Sequence, residues 1–350
     1  MLALIYLSII ATLTVTILVV ALRPIAIRLK LVDKPAGRKT HKGEVPLIGG
    51  PVIWVVFTVG LLVLNSSPPW SIIAAAALLV ILGIVDDRWP VPARLKLLFH
   101  FLAASIVVTG NGSVIADIGI FPVAFGSEEA HFLHVLTAVL AITIAINAFN
   151  FIDGIDGLSA SMALLALTHA NLAFNLMYGS TPPDYAQFNV LFAGSLAGFL
   201  LFNLQVFNGR KIFLGDSGSM LVGLMVAITL IDASQSEMRA GPTLPASLCL
   251  WLIAIPLTDL TTIIIRRLSR RRSPMAADRT HLHHRIMEAG FSARRTLLVM
   301  ILTSVGAFWI GYAVTTQMGE LASIIAFFVF IPAFYWTSLR IVFLLKALND

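Results

Sequence analysis

The sequence predicts an all-α polytopic membrane protein of about eleven transmembrane helices. Three observations carry that prediction. Of its 350 residues, 58% are hydrophobic and only 12% are charged, with a mean hydropathy of +0.91; a soluble domain carries about 25% charged residues. Apolar runs of about twenty residues, the length that crosses a hydrocarbon core, recur along the whole chain. Of the 24 Lys and Arg residues, all but Arg239 fall in alternate loops or at the helix ends beside them. A nucleic-acid partner is not needed to explain the net charge of +6, because basic loops beside an anionic leaflet account for it.

The first run, 2–22, is uncharged, and Arg23, Arg28 and Lys30 follow it. A cleaved leader would carry its positive charges in front. An uncleaved first span with an outside N-terminus is expected. The next runs are 47–64, 70–86, 95–112, 132–150, 158–178, 187–207, 217–233, 244–266, 296–315 and 321–343, with Pro68-Pro69, Pro182-Pro183 and Gly241-Pro242 marking short turns. The inside loops are then 23–46, 87–94, 151–157, 208–216 and 267–295, together with the C-terminal tail. These loops hold the cations, the positive-inside signature, which supports both the odd number of spans and a cytoplasmic C-terminus. The alternating stretch 113–131, with Gly119 and Pro122, suggests a small outer hairpin. Residues 1–350 form one integral-membrane domain, with 267–295 as its largest loop. The single cysteine, Cys249, excludes a disulfide framework and a Cys-based zinc site.

The remaining polar groups gather on the inner face. Asp86-Asp87 ends the third span, where the helix dipole disfavours negative charge and a metal or a Lys/Arg is expected nearby. Asn150, Asp153 and Asp156 follow the fifth span. Asp156 has the position of a helix N-cap, which leaves Asp153 and Asn150 unexplained. Gly215-Asp216-Ser217-Gly218-Ser219 opens the eighth span. Its glycines and helix N-terminus suit a phosphate, and Asp216 suits a divalent cation bridging it. Arg279, His281, His283 and His284 lie in the large inside loop. H-x-H-H spacing without a thiol fits an anion-binding cluster better than zinc. Together these suit metal-assisted phosphoryl transfer with one lipidic and one soluble substrate. An ion-coupled transporter, the alternative of a different class, would carry its ionisable groups near mid-membrane on interrupted helices. Only Asp259, deep in the ninth span near Pro256, fits that pattern.

The chain resembles the polyprenyl-phosphate N-acetylhexosamine-1-phosphate transferases from about Leu31 to Phe291. The pieces that carry the resemblance include Leu31-Val-Asp-Lys-Pro35, Arg38-Lys-Thr-His41, Asp86-Asp87-Arg88, Asn147-Ala-Phe-Asn-Phe-Ile-Asp-Gly-Ile-Asp-Gly-Leu158, Phe213-Leu-Gly-Asp-Ser-Gly-Ser219, Ile255-Pro-Leu-Thr-Asp259 and Asp278-Arg-Thr-His-Leu-His-His284. The resemblance implies transfer of N-acetylglucosamine 1-phosphate from UDP-GlcNAc to undecaprenyl phosphate at the cytoplasmic face of a bacterial inner membrane, with release of UMP. It implies a role in O-antigen or related glycan synthesis, Mg2+ or Mn2+ as cofactor, membrane lipids as surroundings and a homodimer. It also implies Asp216 as the metal ligand, and Asp86 or Asp87 as the group that binds or deprotonates the lipid phosphate. Asn150, Asp153 and Asp156 then line the nucleotide site, Phe213 stacks on uracil, and Arg279, His281, His283 and His284 lie near the sugar and pyrophosphate. Lys42 or His41 is the nearest match to a substrate-binding lysine of the muramyl-pentapeptide branch. That branch has three consecutive histidines, whereas this chain has His-Leu-His-His, which argues against its substrate. Another UDP-N-acetylhexosamine remains an alternative donor.

Overall fold

The computed structural model describes residues 2–33, 43–64, 69–119, 128–207, 209–235, 241–271, 273 and 281–349. The described residues form helices α1 (Leu2–Arg28), α2 (Gly49–Leu64), α3 (Trp70–Arg88), α4 (Ala93–Asn111), α5 (Glu128–Ile152), α6 (Leu158–Tyr178), α7 (Pro183–Asn203), α8 (Gly215–Ser234), α9 (Ala246–Leu252), α10 (Ala254–Ser269), α11 (Leu282–Glu288), α12 (Ala293–Met318) and α13 (Glu320–Asn349). Nine helices among the described residues are long and apolar enough to cross a membrane. The chain is an all-α polytopic membrane protein.

Two expected spans differ from that pattern. Helix α2, at 16 residues, is shorter than the nine long helices. The run 244–266 is broken, with α9 and α10 meeting at a bend of 79°. Pro256 explains the break: a proline has no N–H for the carbonyl four residues back, here Leu252, and its ring crowds that carbonyl. In the outer stretch 113–119 only an isolated bridge forms, at Asp117. The rest of the expected hairpin, 120–127, lies outside the described residues.

Helix α8 is the centre of the bundle. Of its most apolar stretch, 89% is buried, against 17% for α1 and for α13. Ile9 and Ile17 of α1 and Phe328 of α13 are exposed and form the lipid-facing surface. Small residues let α8 sit so deep, because backbones approach closely only where side chains are absent. A Cβ on Gly83 of α3 would land on the Ser217 backbone, and one on Gly50 of α2 would land on Gly218.

One feature has no apolar-run signal. Strands β1 (Val32–Asp33) and β2 (Val45–Pro46) pair antiparallel, Val32 opposite Pro46 and Asp33 opposite Val45. The segment before α8 joins them: the Phe213 N–H donates to the Pro46 carbonyl at 2.8 Å, and Gly49 and Gly50 donate to the Phe213 and Leu214 carbonyls at 3.0 and 3.1 Å. These bonds fix Phe213 and the start of α8 against α2.

Candidate active site

A cavity of about 980 Å³ opens among the ends of α3 and α7, the turn between α5 and α6, the start of α8, and α11. Asp33, Asp86, Asp87, Asp153, Asp156 and Asp216 line it, as do Lys211, Phe213 and His284. Asp86 is anchored on both oxygens: Oδ1 accepts from the Val91 N–H at 2.7 Å and Oδ2 from Lys96 Nζ at 2.7 Å. The positive group that this helix end requires is therefore Lys96, in the first turns of α4. Its ammonium also lies 3.5 Å from Asp216 Oδ2.

Asp87 does something different. Its Oδ1 accepts the Asp216 N–H at 3.0 Å, so a carboxylate of α3 sits at the positive end of α8. Gly215, at φ +73°, makes the turn that brings this amide round. Asp87 Oδ2 is buried and has no hydrogen-bond partner among the described residues. Asn150 of α5 completes the group, donating to Asp216 Oδ1 at 3.3 Å and to Ser219 Oγ at 2.9 Å. Asp216 itself keeps 37% of its side chain exposed, against 6% for Asp86, so its carboxylate is accessible from the cavity.

Asp156 is not the cap of α6. That position is Gly157, which makes no side-chain cap hydrogen bond, and Asp156 Oδ2 accepts instead from Lys211 Nζ at 2.6 Å. The same ammonium lies 4.8 Å from the centre of the Phe213 ring, a cation–π distance. Burial, and then the charges of Asp216, Asp87 and Asp156, raise the Asp153 carboxyl well above its ordinary value. The wall at Asp153 therefore favours the neutral carboxyl, and a nearby cation would oppose that shift.

The three histidines divide. His284 lines the cavity. His281 and His283 are buried behind it. His283 packs against Gly154, where a Cβ would collide with the ring, and neither of its nitrogens has a hydrogen-bond partner among the described residues. Burial, assisted by His284 and His281, pushes it down to about 3. His281 Nδ1 lies 2.8 Å from Asp259 Oδ2. Lys42, His41 and Arg279 lie outside the described residues. Lys96 and Lys211 carry no signal in the sequence that sets them apart from the other basic residues of the inner loops.

No group of three metal-ligating side chains converges among the described residues. The donor set still suits Mg2+, which is commonly held by one or two carboxylates with substrate phosphates and water. Asp216 supplies an accessible hard oxygen among like-charged neighbours.

Residues 69–234 match the profile of glycosyl transferase family 4. An undecaprenyl-phosphate alpha-N-acetylglucosaminyl 1-phosphate transferase of Yersinia pestis is 33% identical over 288 residues, 81% of this chain and 76% of the relative. The chain belongs to glycosyl transferase family 4. Proteins of the same description from Haemophilus influenzae and Salmonella typhimurium are 32% identical over 320 residues and 31% over 308. They cover 89% and 86% of this chain, and 87% and 81% of their own lengths. The family 4 match runs from α3 through α8, the helices and turns that carry Asp86, Asp87, Asn150, Asp153, Asp156 and Asp216. Asp259 and the histidine segment lie beyond it.

Proposed function

We propose that this family 4 protein transfers N-acetylglucosamine 1-phosphate from UDP-GlcNAc to undecaprenyl phosphate, giving undecaprenyl-diphosphate-GlcNAc and UMP. The observation that carries this reading is the junction of Asp87, Asp216, Asn150 and Lys96 at one end of an open cavity. The relatives' names supply the acceptor and the sugar. In this reading the bundle has eleven spans, with α2 and the bent α9–α10 pair completing the nine long helices. The N-terminus faces outward, and the cavity opens on the cytoplasmic face of a bacterial inner membrane. The O-antigen or related pathway and a homodimer belong to the same proposal.

A phosphate oxygen of the lipid attacks the β-phosphorus of the nucleotide sugar. The P–O bond to the α-phosphate breaks, and UMP leaves with the electron pair. The acceptor phosphate carries most of its second charge at neutral pH, so attack does not wait on a base. Asp86 holds Lys96 beside the reacting phosphates, and Asp87 holds the α8 amide that sets Asp216. Mg2+ on Asp216 supplies charge neutralisation of the transferring phosphoryl when bound. Phe213 and Asp156, with Lys211 between them, take the uridine end. His284 faces the sugar and pyrophosphate, and Arg279 and Lys42 join the substrate contacts.

Purified protein, undecaprenyl phosphate and a panel of UDP-sugars test the proposal together. UMP release is expected with UDP-GlcNAc and only when both Mg2+ and the lipid are present. Asp216→Asn is expected to abolish it while thermal stability is kept. Preference for another UDP-N-acetylhexosamine would change the donor, and release without lipid would remove direct transfer.

A further inference from the structure

Asp259, on α10, lies outside the large cavity and takes no part in the reaction as drawn. It is 2% exposed, and a carboxylate this deep requires partners. Both oxygens have one: Oδ2 accepts from His281 Nδ1 at 2.8 Å, and Oδ1 from the Leu282 N–H at 2.7 Å. An ionised carboxylate only accepts, so Nδ1 of His281 carries the hydrogen. The bond spans 22 residues of sequence and ties the start of α11 to α10.

From His281 the contacts run on to the cavity wall. Its ring meets Phe151 edge-on at 6.0 Å and stacks on His283 at 5.5 Å. His283 packs on Gly154, beside Asp153. A second tie secures the far end of the same short helix: Arg285 donates to the Tyr335 hydroxyl of α13 at 3.2 Å.

We infer that Asp259 is a positioning residue: through His281 and the Leu282 amide it clamps α11, so that His284 lines the cavity and His283 backs the Asp153–Gly154 turn. Its kinetic consequence rests on the proposed transferase reading; the clamp itself does not.

Two measurements decide it. Asp259→Ala leaves two buried N–H groups without acceptors, and kcat/KM for UDP-GlcNAc is expected to fall about tenfold to a hundredfold. Asp259→Asn is expected to recover most of that loss, since its oxygen still accepts from Leu282 and its amide faces the other tautomer of His281. Combining Asp259→Ala with His281→Ala is expected to cost no more than the worse single change. Independently, hydrogen exchange at the Leu282 amide is expected to quicken by about tenfold or more in Asp259→Ala and to stay near wild type in Asp259→Asn. Equal impairment of the Ala and Asn variants, multiplying losses, or unchanged Leu282 exchange each overturns the clamp. If the wild type releases no UMP from any UDP-sugar, the transferase reading fails and Leu282 exchange still judges the clamp. Should Asp259→Ala not insert, His281→Phe keeps the ring and removes the donor; full turnover in that variant overturns the inference.

Discussion

Lys96 has three consequences at the scale of one residue. It satisfies Asp86, it sits beside Asp216, and nothing in the sequence singles it out. Acidic residues in so apolar a chain are conspicuous, so Asp86, Asp87, Asp153, Asp156 and Asp216 could be picked out by composition and position alone. Basic residues are what inner loops ordinarily hold, and Lys96 and Lys211 are hidden among them. His283 carries a pH prediction. Its pKa, about 3 in the folded protein against an ordinary 6.5, means that the unfolded chain binds the extra proton between those values. Stability is therefore complete above about pH 6.5 and is lost as the pH falls, by about 1.4 kcal/mol per pH unit. Thermal unfolding in detergent between pH 7 and pH 5 is expected to show this decline, and His283→Leu is expected to flatten it. A parallel decline in the variant would assign the effect to other groups.

Helices and their breaks form the next scale. The apolar runs were legible because a membrane helix needs an uninterrupted length of them. The break between α9 and α10 was not, although Pro256 was in plain view, because a proline in a membrane helix is often tolerated by neighbours that satisfy the freed carbonyl. The β1–β2 ladder was invisible for the opposite reason: two-residue strands leave no periodicity to detect. Gly83 offers the test of packing. Its α3 backbone lies against Ser217 with no room for a methyl group, and overpacking costs about 1–3 kcal/mol. Gly83→Ala is expected to lower the melting temperature and to reduce turnover more than stability alone explains, since it pushes Asp86 and Asp87 away from Asp216. An unchanged melting temperature and full turnover would show that the two helices have slack between them.

For the whole molecule, charge bias gives an orientation that labelling can check. Cys249 is buried, so a Cys249→Ser background carrying one new cysteine gives a clean signal. Ser180→Cys, in the turn after α6, is expected to react with an impermeant thiol reagent in intact cells. Arg294→Cys, at the start of α12, is expected to react only after the membrane is opened. Reversed labelling would invert the topology and place the cavity on the other side.

The deep burial of α8 also bears on how the protein is made. Long and apolar enough to cross a membrane by itself, α8 ends with almost no lipid-facing surface in the folded bundle, and it carries Asp216 at its very start. Its packing partners α2, α3, α5, α6 and α7 all precede it in the chain, so they are already made when α8 emerges. The cavity wall is finished later still, because α11, which brings His284, follows α8 in the chain.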